Sequence, residues 1–443
     1  MPSGMSSDYK FDAVIDHYPK QRIVELDLLR GFALFGIFLM NIISMAQPVE
    51  AYSNPMVFLM SGLAYSENAS NGDNGILNHL IFSLNYVFIN QKMMTLFSLL
   101  FGASTLLLLS KLKEKGQSSV YYFKRNGWLI IFGLLHSIFI FFGDILFIYS
   151  LCAFALYWFS ELRSKWQFIL GLIIYCLPIF QQGFMQISIN NFSIEQLQHL
   201  NEIWQPSVEV LKEKIEYRQS LGYLEWVLST IEWHVFSIDY GYIYNWYWDA
   251  ITVEAFLRSF GMMLVGMSLY NWNVLPNQDK KKSTLFYLRM VVIGFIVGLI
   301  FTLIGLWLNY HFGWKANYTA VGGRLLNHIG TPFLACAYLG MLVLWSNKAS
   351  SIWVEKLKQK LQAVGQMALT NYIMQSAIGL VMFTGVGFSF YGQLSRMELA
   401  LIVFAVWLFQ LWFSSIWLQH FRFGPLEWLW RSLTYTKIMK HLK

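Results

Sequence analysis

The amino-acid sequence predicts an all-α integral membrane protein, a polytopic bundle of about ten transmembrane helices with both termini in the cytoplasm. Of the 443 residues, 56% are hydrophobic and only 13% are charged, which is too apolar for a soluble domain with a solvated surface. A bilayer core of about 30 Å is crossed by about 20 apolar residues in an α-helix, so about ten spans fit within the chain. We therefore expect a single transmembrane domain over residues 1–443, with the lipid bilayer as its solvent.

Apolar windows along the chain place these spans. The first group is predicted near residues 28–45, 93–109, 126–142, 145–159 and 166–184. The second group is predicted near residues 250–270, 287–308, 325–345, 364–383 and 398–418. The loops between the spans then decide their orientation.

The distribution of basic residues orients the predicted spans. The net charge is +7, but lysines and arginines are dispersed among short loops rather than gathered on one face, which argues against a nucleic-acid partner. Placing the N-terminus inside assigns most of them to cytoplasmic segments, as the positive-inside rule requires. This topology has a cytoplasmic leader over 1–22, a long external loop over 185–249 and a cytoplasmic tail over 421–443. The first apolar run lacks a cleavage site, so we expect it to be retained as a span.

Two segments outside the spans have distinctive compositions. The external loop ends in a Trp- and Tyr-rich part over 226–248, which is typical of a belt at the membrane interface. A lid or a carbohydrate-stacking surface is the alternative. Residues 78–91 could form an additional interfacial helix. The cysteines lie in apolar stretches without the spacing of metal ligands, so no metal site is predicted.

Polar residues within the predicted spans are the candidates for function, because a charge at bilayer depth costs about 2.5 to 3.5 kcal/mol on insertion scales. Such residues are expected to face the bundle interior, to pair with one another or to line a cavity. In the predicted topology they converge on the outer half of the bundle. The group consists of Asn41, Lys92, Asp144, Asp249, Glu254, Arg258, Arg324 and His328.

His136 lies near the middle of the third predicted span. It is either a hydrogen-bonded packing residue or a general base, since the near-neutral pKa typical of histidine suits removal of a proton from a hydroxyl or amine. In a straight helix about 12 Å would separate it from Asp144, so we expect no direct contact between the two. A helix break at Gly143 would change this, and a carboxylate from another span could orient His136 instead.

Three further groups have two interpretations each. Glu254 and Arg258 share one helix face at i and i+4. They form either a neutralising ion pair or a site at which Arg258 binds an anionic substrate group. The run Gly322-Gly323-Arg324 is a flexible turn or an anion site at a helix N-terminus. Lys92 either extends its ammonium group to the external interface or has a functional role.

Two stretches resemble a known bacterial family. The first is residues 22–42, RIVELDLLRGFALFGIFLMNI. The second is residues 366–372, QMALTNY, followed by Gln375-Ser376 and by 421–431, FRFGPLEWLWR. Both are similar to the YeiB-like family, also called domain of unknown function 418. The resemblance extends over essentially the whole chain and implies a bacterial inner membrane. Asn371 and Gln375 of the C-terminal motif join the candidate substrate-binding residues, with Lys92, Arg258 and Arg324.

The opening motif also resembles, more distantly, that of transmembrane acyltransferases, namely acyltransferase family three and the heparan-α-glucosaminide N-acetyltransferase group. The shared part is LDLLRG at residues 26–31, followed by a polar residue at the outer end of the same helix. In family three that residue is a catalytic histidine. The matching position here is Asn41, with no histidine close after it, so His136 would have to serve as the base.

This resemblance implies transfer of an acyl group from cytosolic acyl-CoA or acetyl-CoA to an envelope or exported acceptor, a small molecule or a glycan. Arg30 lies at the cytoplasmic end, where CoA phosphates would arrive, and it is also placed to pair with Asp27 at i and i+3. Asn41 could stabilise an oxyanion, and Asp144 or Glu254 would orient the acceptor.

The alternative is a transporter or exporter of a small or anionic substrate, in which the same charges form its pathway. We find no convincing internal repeat of the kind that many transporters have, which slightly favours the enzyme. A homodimer is left open, although no single motif supports it.

Overall fold

The structure, a computed structural model, describes residues 23–57, 73–235, 242–275, 282–319 and 321–443. Within these ranges the regular secondary structure is helical, apart from one isolated β-bridge between Phe421 and Leu442. The predicted leader over 1–22 lies outside the described residues. The predicted all-α class is confirmed.

The helices of the first half of the chain are α1 (Val24–Ala46), α2 (Glu50–Ser53), α3 (Asp73–Leu84), α4 (Lys92–Glu114), α5 (Val120–Phe139), α6 (Leu146–Phe159) and α7 (Ser164–Asn190). Three shorter helices follow, α8 (Ile194–Trp204), α9 (Val208–Ser220) and α10 (Tyr223–Val235). The remaining helices are α11 (Tyr242–Asn271), α12 (Thr284–His311), α13 (Ala316–Thr319), α14 (Gly322–Asn347), α15 (Ile352–Gln366), α16 (Ala368–Phe383), α17 (Arg396–His420) and α18 (Pro425–Tyr435).

Helices of membrane-spanning length and apolarity dominate this architecture. Among the described residues six helical stretches qualify, namely α1, the run Gly75–Glu114 that includes α4, and α7, α12, α14 and α17. The apolar helices α6 and α16 are shorter. Every predicted span falls on a helix, with α5 and α11 accounting for the other two. The chain is therefore a multi-pass helical membrane bundle, while the count of about ten crossings and the orientation stay predictions.

Small residues bring the central helices close together. α1 packs on α15 where Gly31 faces the Leu361 carbonyl and Gly365 faces the Asp27 carbonyl, so a Cβ at either glycine would collide with backbone. Such close approach is the usual way in which membrane helices associate, because lipid supplies no hydrophobic driving force between them. α1 also packs against α4 and α16, which makes it a central helix of the bundle.

The helical run from α3 to α4 is interrupted. A π-helical segment, Asn85–Ile89, follows α3, and Gln91 has a left-handed backbone with φ 66° before α4 begins at Lys92. The predicted additional helix near 78–91 thus exists as α3 and this segment. The break turns the first residues of α4 toward the bundle interior.

The predicted external loop over 185–249 contains regular helices. α7 continues to Asn190, and α8 begins with a capping box between Ser193 and Gln196. The Trp204 indole at the end of α8 donates to the Trp314 carbonyl at 2.8 Å. These contacts hold α8 over the end of the bundle at which α1 terminates, which we call the Ala46 end.

The aromatic end of that loop is only partly described. Trp226 is buried, in a cluster with Leu221 and Val227. Residues 236–241, and the side chains of 233–248 as a whole, lie outside what the structure describes. The choice between an interfacial belt and a lid or carbohydrate-stacking surface therefore stays a prediction.

Candidate functional site

A cavity of about 600 Å³ lies at the Ala46 end of the bundle, between α1, α4, α5, α6, α11 and α14. Leu200, Ile203 and Trp204 of α8 contribute to its wall, so the helix over the Ala46 end also borders the cavity. The predicted site residues that line it are Asn41, Asp144, Glu254, Arg258 and Arg324. Residues in or next to four separate predicted spans thus surround one space.

His136 and Asp144 are in direct contact, which corrects the expectation that they are too far apart. The His136 Nδ1 and Asp144 Oδ1 atoms are 2.7 Å apart. The reason is that α5 ends at Phe139, three residues after the histidine. The chain then turns back, with the N–H groups of Ile140 and Phe141 donating to the His136 carbonyl at 3.0 and 2.8 Å.

Asp144 is also fixed by the helix that follows it. Its Oδ2 atom accepts a hydrogen bond from the Phe147 N–H at 2.8 Å, which satisfies one of the free N–H groups at the start of α6. Gly143, the predicted breaking point, lies in this turn, where a Cβ would come within 2.6 Å of the Phe141 ring. The turn between α5 and α6 therefore places the carboxylate beside the imidazole.

Tyr372 of α16 completes a three-residue cluster. Its hydroxyl donates to Asp144 Oδ1 at 3.3 Å, and its ring centroid lies 5.1 Å from that of His136. Tyr372 belongs to the QMALTNY motif, which predicts no role for it. Its place beside Asp144 depends on contact between α16 and the α5–α6 turn, which no local pattern indicates.

The imidazole of His136 is enclosed behind the cavity wall. Its side chain is only 1% exposed, and its Nε2 atom is buried with no hydrogen-bond partner among the described residues. The adjacent Ser137 and Asp144 line the cavity. The His136–Asp144 pair therefore forms part of the wall, with one ring nitrogen still available.

A second cluster joins α11 to α14 on the cavity wall. Glu254 Oε1 lies 3.0 Å from Arg258 Nη1, as the i and i+4 spacing predicts, and its Oε2 lies 2.6 Å from Arg324 Nη2. His328 Nδ1 is 3.9 Å from Glu254 Oε1. Glu254 and Arg258 are 4% and 3% exposed, so one buried carboxylate is shared by two guanidinium groups.

Lys92 does not reach the membrane interface, so that interpretation was wrong. Its side chain is fully buried, and its ammonium donates to the Tyr86 carbonyl at 2.7 Å and to the Asn327 side-chain oxygen. The break at Gln91 turns Lys92 inward at the start of α4. Asn327 itself lines the cavity.

The Gly322-Gly323 pair is helical, which corrects the alternative of a flexible turn. α14 begins at Gly322, and a Cβ at Gly323 would collide with the Asn309 side chain. The Gly323 carbonyl accepts a hydrogen bond from the Tyr86 hydroxyl at 2.7 Å. The glycine is needed for close packing of α14 on α12, and Arg324 stands in the first turn of α14.

The other candidates lie away from this cavity. Arg30 is near the opposite end of α1, paired with Asp27 at 2.9 Å and bonded to Ser104. Asn371 donates to Ser414 Oγ at 3.0 Å, which ties α16 to α17. Gln375 donates to Gln410 at 2.9 Å. The structure gives Asn371 and Gln375 positions in helix packing and does not bring them to the cavity.

Comparison with known proteins finds a family match in the C-terminal part of the chain and relatives along most of its length. Residues 270–437 match the family described as Protein of unknown function (DUF418). The uncharacterized protein YxaH of Bacillus subtilis (strain 168) is 28% identical over 432 residues, covering 94% of each chain. The uncharacterized protein YeiB of Escherichia coli (strain K12) is 28% identical over 424 residues, covering 94% of this chain and 96% of the relative. No solved structure matches the chain. The chain therefore resembles YeiB-like proteins along most of its length, and residues 270–437 match the DUF418 family.

Proposed function

We propose that this protein is a bacterial inner-membrane acyltransferase that moves an acyl group from cytosolic acyl-CoA, with acetyl-CoA the simplest donor, to an envelope or exported acceptor. The observation that carries the proposal is the buried pair of His136 and Asp144, 2.7 Å apart, in the wall of an internal cavity. A carboxylate on one ring nitrogen orients a histidine that acts as a general base and stabilises the imidazolium that forms.

In this proposal the His136 Nδ1–H donates a hydrogen bond to Asp144 Oδ1, which leaves Nε2 as the basic atom. Nε2 has no partner among the described residues. Nε2 removes the proton from an acceptor hydroxyl or amine as its oxygen or nitrogen attacks the thioester carbonyl. The tetrahedral intermediate collapses, the carbon–sulfur bond breaks, and the proton on the imidazolium passes to the departing CoA sulfur. Asn41, which lines the cavity, would donate a hydrogen bond to the developing oxyanion.

The position of His136 places one requirement on this mechanism. Because Nε2 is buried and His136 itself does not line the cavity, an acceptor reaches Nε2 only after a local rearrangement of the wall. The donor would come from the other end of α1, where Arg30 lies. At a rise of 1.5 Å per residue, Arg30 is about 16 Å from Asn41 along the helix axis. The acyl-bearing arm of the donor would have to cover that distance between the helices.

The proposal is tested by transfer of labelled acetyl groups in proteoliposomes supplied with acetyl-CoA and a bacterial envelope extract. We expect the wild type to label an acceptor and His136→Asn to be slower by a factor of about 10² to 10⁴, the usual contribution of a general base. His420→Asn is the matched control, since His420 is exposed at the end of α17. Equal labelling by wild type and His136→Asn would refute the proposal.

One observation favours the transporter as a second candidate. The helical run between α3 and α4 breaks at Asn90 and Gln91, and both residues line the cavity. Broken helices beside a buried, charged cavity are characteristic of secondary transporters. This candidate predicts substrate flux into proteoliposomes without CoA, reduced in Glu254→Gln. Flux that is unaffected by that change would count against it.

A further inference from the structure

We infer that the cavity binds an anionic amphiphile, a ligand with a phosphate or carboxylate group held near Arg258 and Asn327 and a single apolar chain packed between α1, α4 and α6. The inference rests on the proposed function, because it identifies this ligand as the class of acceptor. It is carried by the charge of one part of the cavity wall, by the apolarity of the rest and by the cavity volume.

One part of the cavity wall carries an excess of positive charge. Arg258 and Arg324 line the cavity and share the single carboxylate of Glu254, and Lys92 lies directly behind the lining residue Asn327. The Lys92 ammonium contacts a carbonyl and an amide oxygen but no carboxylate among the described residues. Buried charges are normally compensated by a counter-ion or ligand, so this wall is set up to receive a negative group.

The unused hydrogen-bond donors of Arg258 also favour an anionic ligand. Arg258 lines the cavity, is 3% exposed and uses Nη1 for Glu254. Its Nε and Nη2 atoms are buried without an acceptor among the described residues. A guanidinium with two unused donor atoms presents a fork that fits a phosphate or carboxylate. The N–H groups in the first turn of α14, beside Arg324, add partial positive charge.

The rest of the wall is apolar. Ile37 and Met40 of α1, Met94 of α4, and Phe147 and Ile148 of α6 line the cavity. A fully hydrophilic anion would leave these side chains in contact with water, whereas an alkyl or acyl chain would cover them. The volume of about 600 Å³ lies in the range of pockets that enclose one small-molecule ligand. A single-chain ligand therefore fits this space better than a two-chain phospholipid.

The test measures equilibrium binding of radiolabelled hexyl phosphate to the full-length protein in phosphatidylcholine nanodiscs. We expect saturable binding, with inorganic phosphate and 1-hexanol each competing at least about tenfold more weakly because each lacks one half of the ligand. Equal competition by 1-hexanol would overturn the inference. Nanodiscs of phosphatidylglycerol distinguish the source of the anion, since a lipid headgroup that occupies the site would displace hexyl phosphate there. Displacement of that kind would overturn the assignment to a single-chain ligand.

The variant comparison removes Glu254 and Arg258 together, because this costs less stability than removing Glu254 alone. We expect Glu254→Gln/Arg258→Gln to bind hexyl phosphate at least about tenfold more weakly, since a charge-assisted hydrogen bond contributes that much. The matched control is Glu355→Gln/Lys358→Gln, which removes a pair on α15, 2.8 Å between charged atoms, away from the cavity. Equal affinity of the two double variants would overturn the inference.

His136→Asn separates this inference from the proposed function. If that variant binds hexyl phosphate like the wild type but has lost acetyl transfer, both stand. Hexyl phosphate that fails to bind an active wild type refutes only the ligand class. Binding without any transfer by the wild type refutes only the acyltransferase.

Discussion

The Nδ1 atom of His136 lies 2.7 Å from Oδ1 of Asp144, although both residues come from one apolar stretch of chain in which a continuous helix would separate them. The contact exists because α5 stops at Phe139 and the chain reverses before α6. Tyr372 from α16 then bonds the same carboxylate oxygen. This cluster is the part of the molecule whose chemistry is most directly testable.

Asp144→Asn should separate orientation of the base from folding. The amide keeps the shape of the carboxylate but cannot stabilise a charged imidazolium, so we expect acetyl transfer to fall by about 10²-fold or more. Thermal unfolding of the purified protein should change little. Asp144→Ala also removes the acceptor for the Phe147 N–H. We expect it to lower the free energy of unfolding by about 1 kcal/mol more, the usual contribution of a helix cap. If both variants retain the wild-type transfer rate, Asp144 does not orient a base.

Tyr372→Phe removes the hydroxyl that bonds Asp144 and leaves the aromatic packing in place. We expect a loss of about 1 kcal/mol in the free energy of unfolding, typical of one hydrogen bond. Acetyl transfer should fall less than in His136→Asn, because Tyr372 acts only through Asp144. A larger loss of transfer in Tyr372→Phe than in His136→Asn would mean that the tyrosine itself contacts the reacting groups.

Glu254→Gln should be among the most destabilising polar substitutions in the chain. It leaves Arg258 and Arg324 side by side without their shared carboxylate, and breaking a buried ion pair typically costs about 3 to 5 kcal/mol. Glu254→Gln/Arg258→Gln should recover part of that loss in a thermal unfolding assay. A double variant that is less stable than the single one would show that Arg258 has stabilising partners other than Glu254.

Gly365→Ala should weaken the contact between α1 and α15. The added methyl would meet the Asp27 carbonyl, and overpacking of this kind costs about 1 to 3 kcal/mol. Gly127→Ala on α5 is the matched control, since nothing lies within 4 Å of a Cβ there. That change should be neutral or stabilising in the same unfolding assay, because alanine favours helices. Equal stabilities of the two variants would contradict close packing at Gly365.

Glu427 of α18 provides a test that depends on pH. Its carboxylate accepts hydrogen bonds from the N–H groups of Leu369 and Thr370 at 2.7 and 3.1 Å, at the start of α16. Burial raises the pKa of Glu427 above its ordinary value of 4.5. The folded protein therefore binds this proton more tightly than the unfolded chain, and the resulting stabilisation is complete at low pH and lost as the pH rises through the raised pKa.

The measurement is the difference in thermal stability between wild type and Glu427→Gln, from below the ordinary pKa of 4.5 to above the raised pKa. Glutamine does not titrate, so the stability of wild type relative to the variant should be greatest in acid and decline as the pH rises. A difference that does not vary with pH, or that grows with pH, would show that the carboxylate is favoured in the folded state.

Much of the fold follows from local sequence. The apolar stretches near 28–45 and 287–308 coincide with α1 and α12, because a helix of sufficient length and hydropathy satisfies its own backbone hydrogen bonds in lipid. The pair of Glu254 and Arg258 follows in the same way, since i and i+4 share a face of any helix. These features depend on residues that are close together in the chain.

Hydropathy and residue spacing along the chain thus predict a multi-pass helical membrane protein with a small set of polar residues inside it. Helix ends and contacts between helices that are distant in the chain select which of these polar residues meet. The His136–Asp144 contact depends on where α5 ends, the burial of Lys92 depends on the break at Gln91, and Arg324 reaches Glu254 from a helix far along the chain. Hydropathy reports the preference of each segment for lipid, whereas helix ends and helix–helix contacts are set by packing between segments.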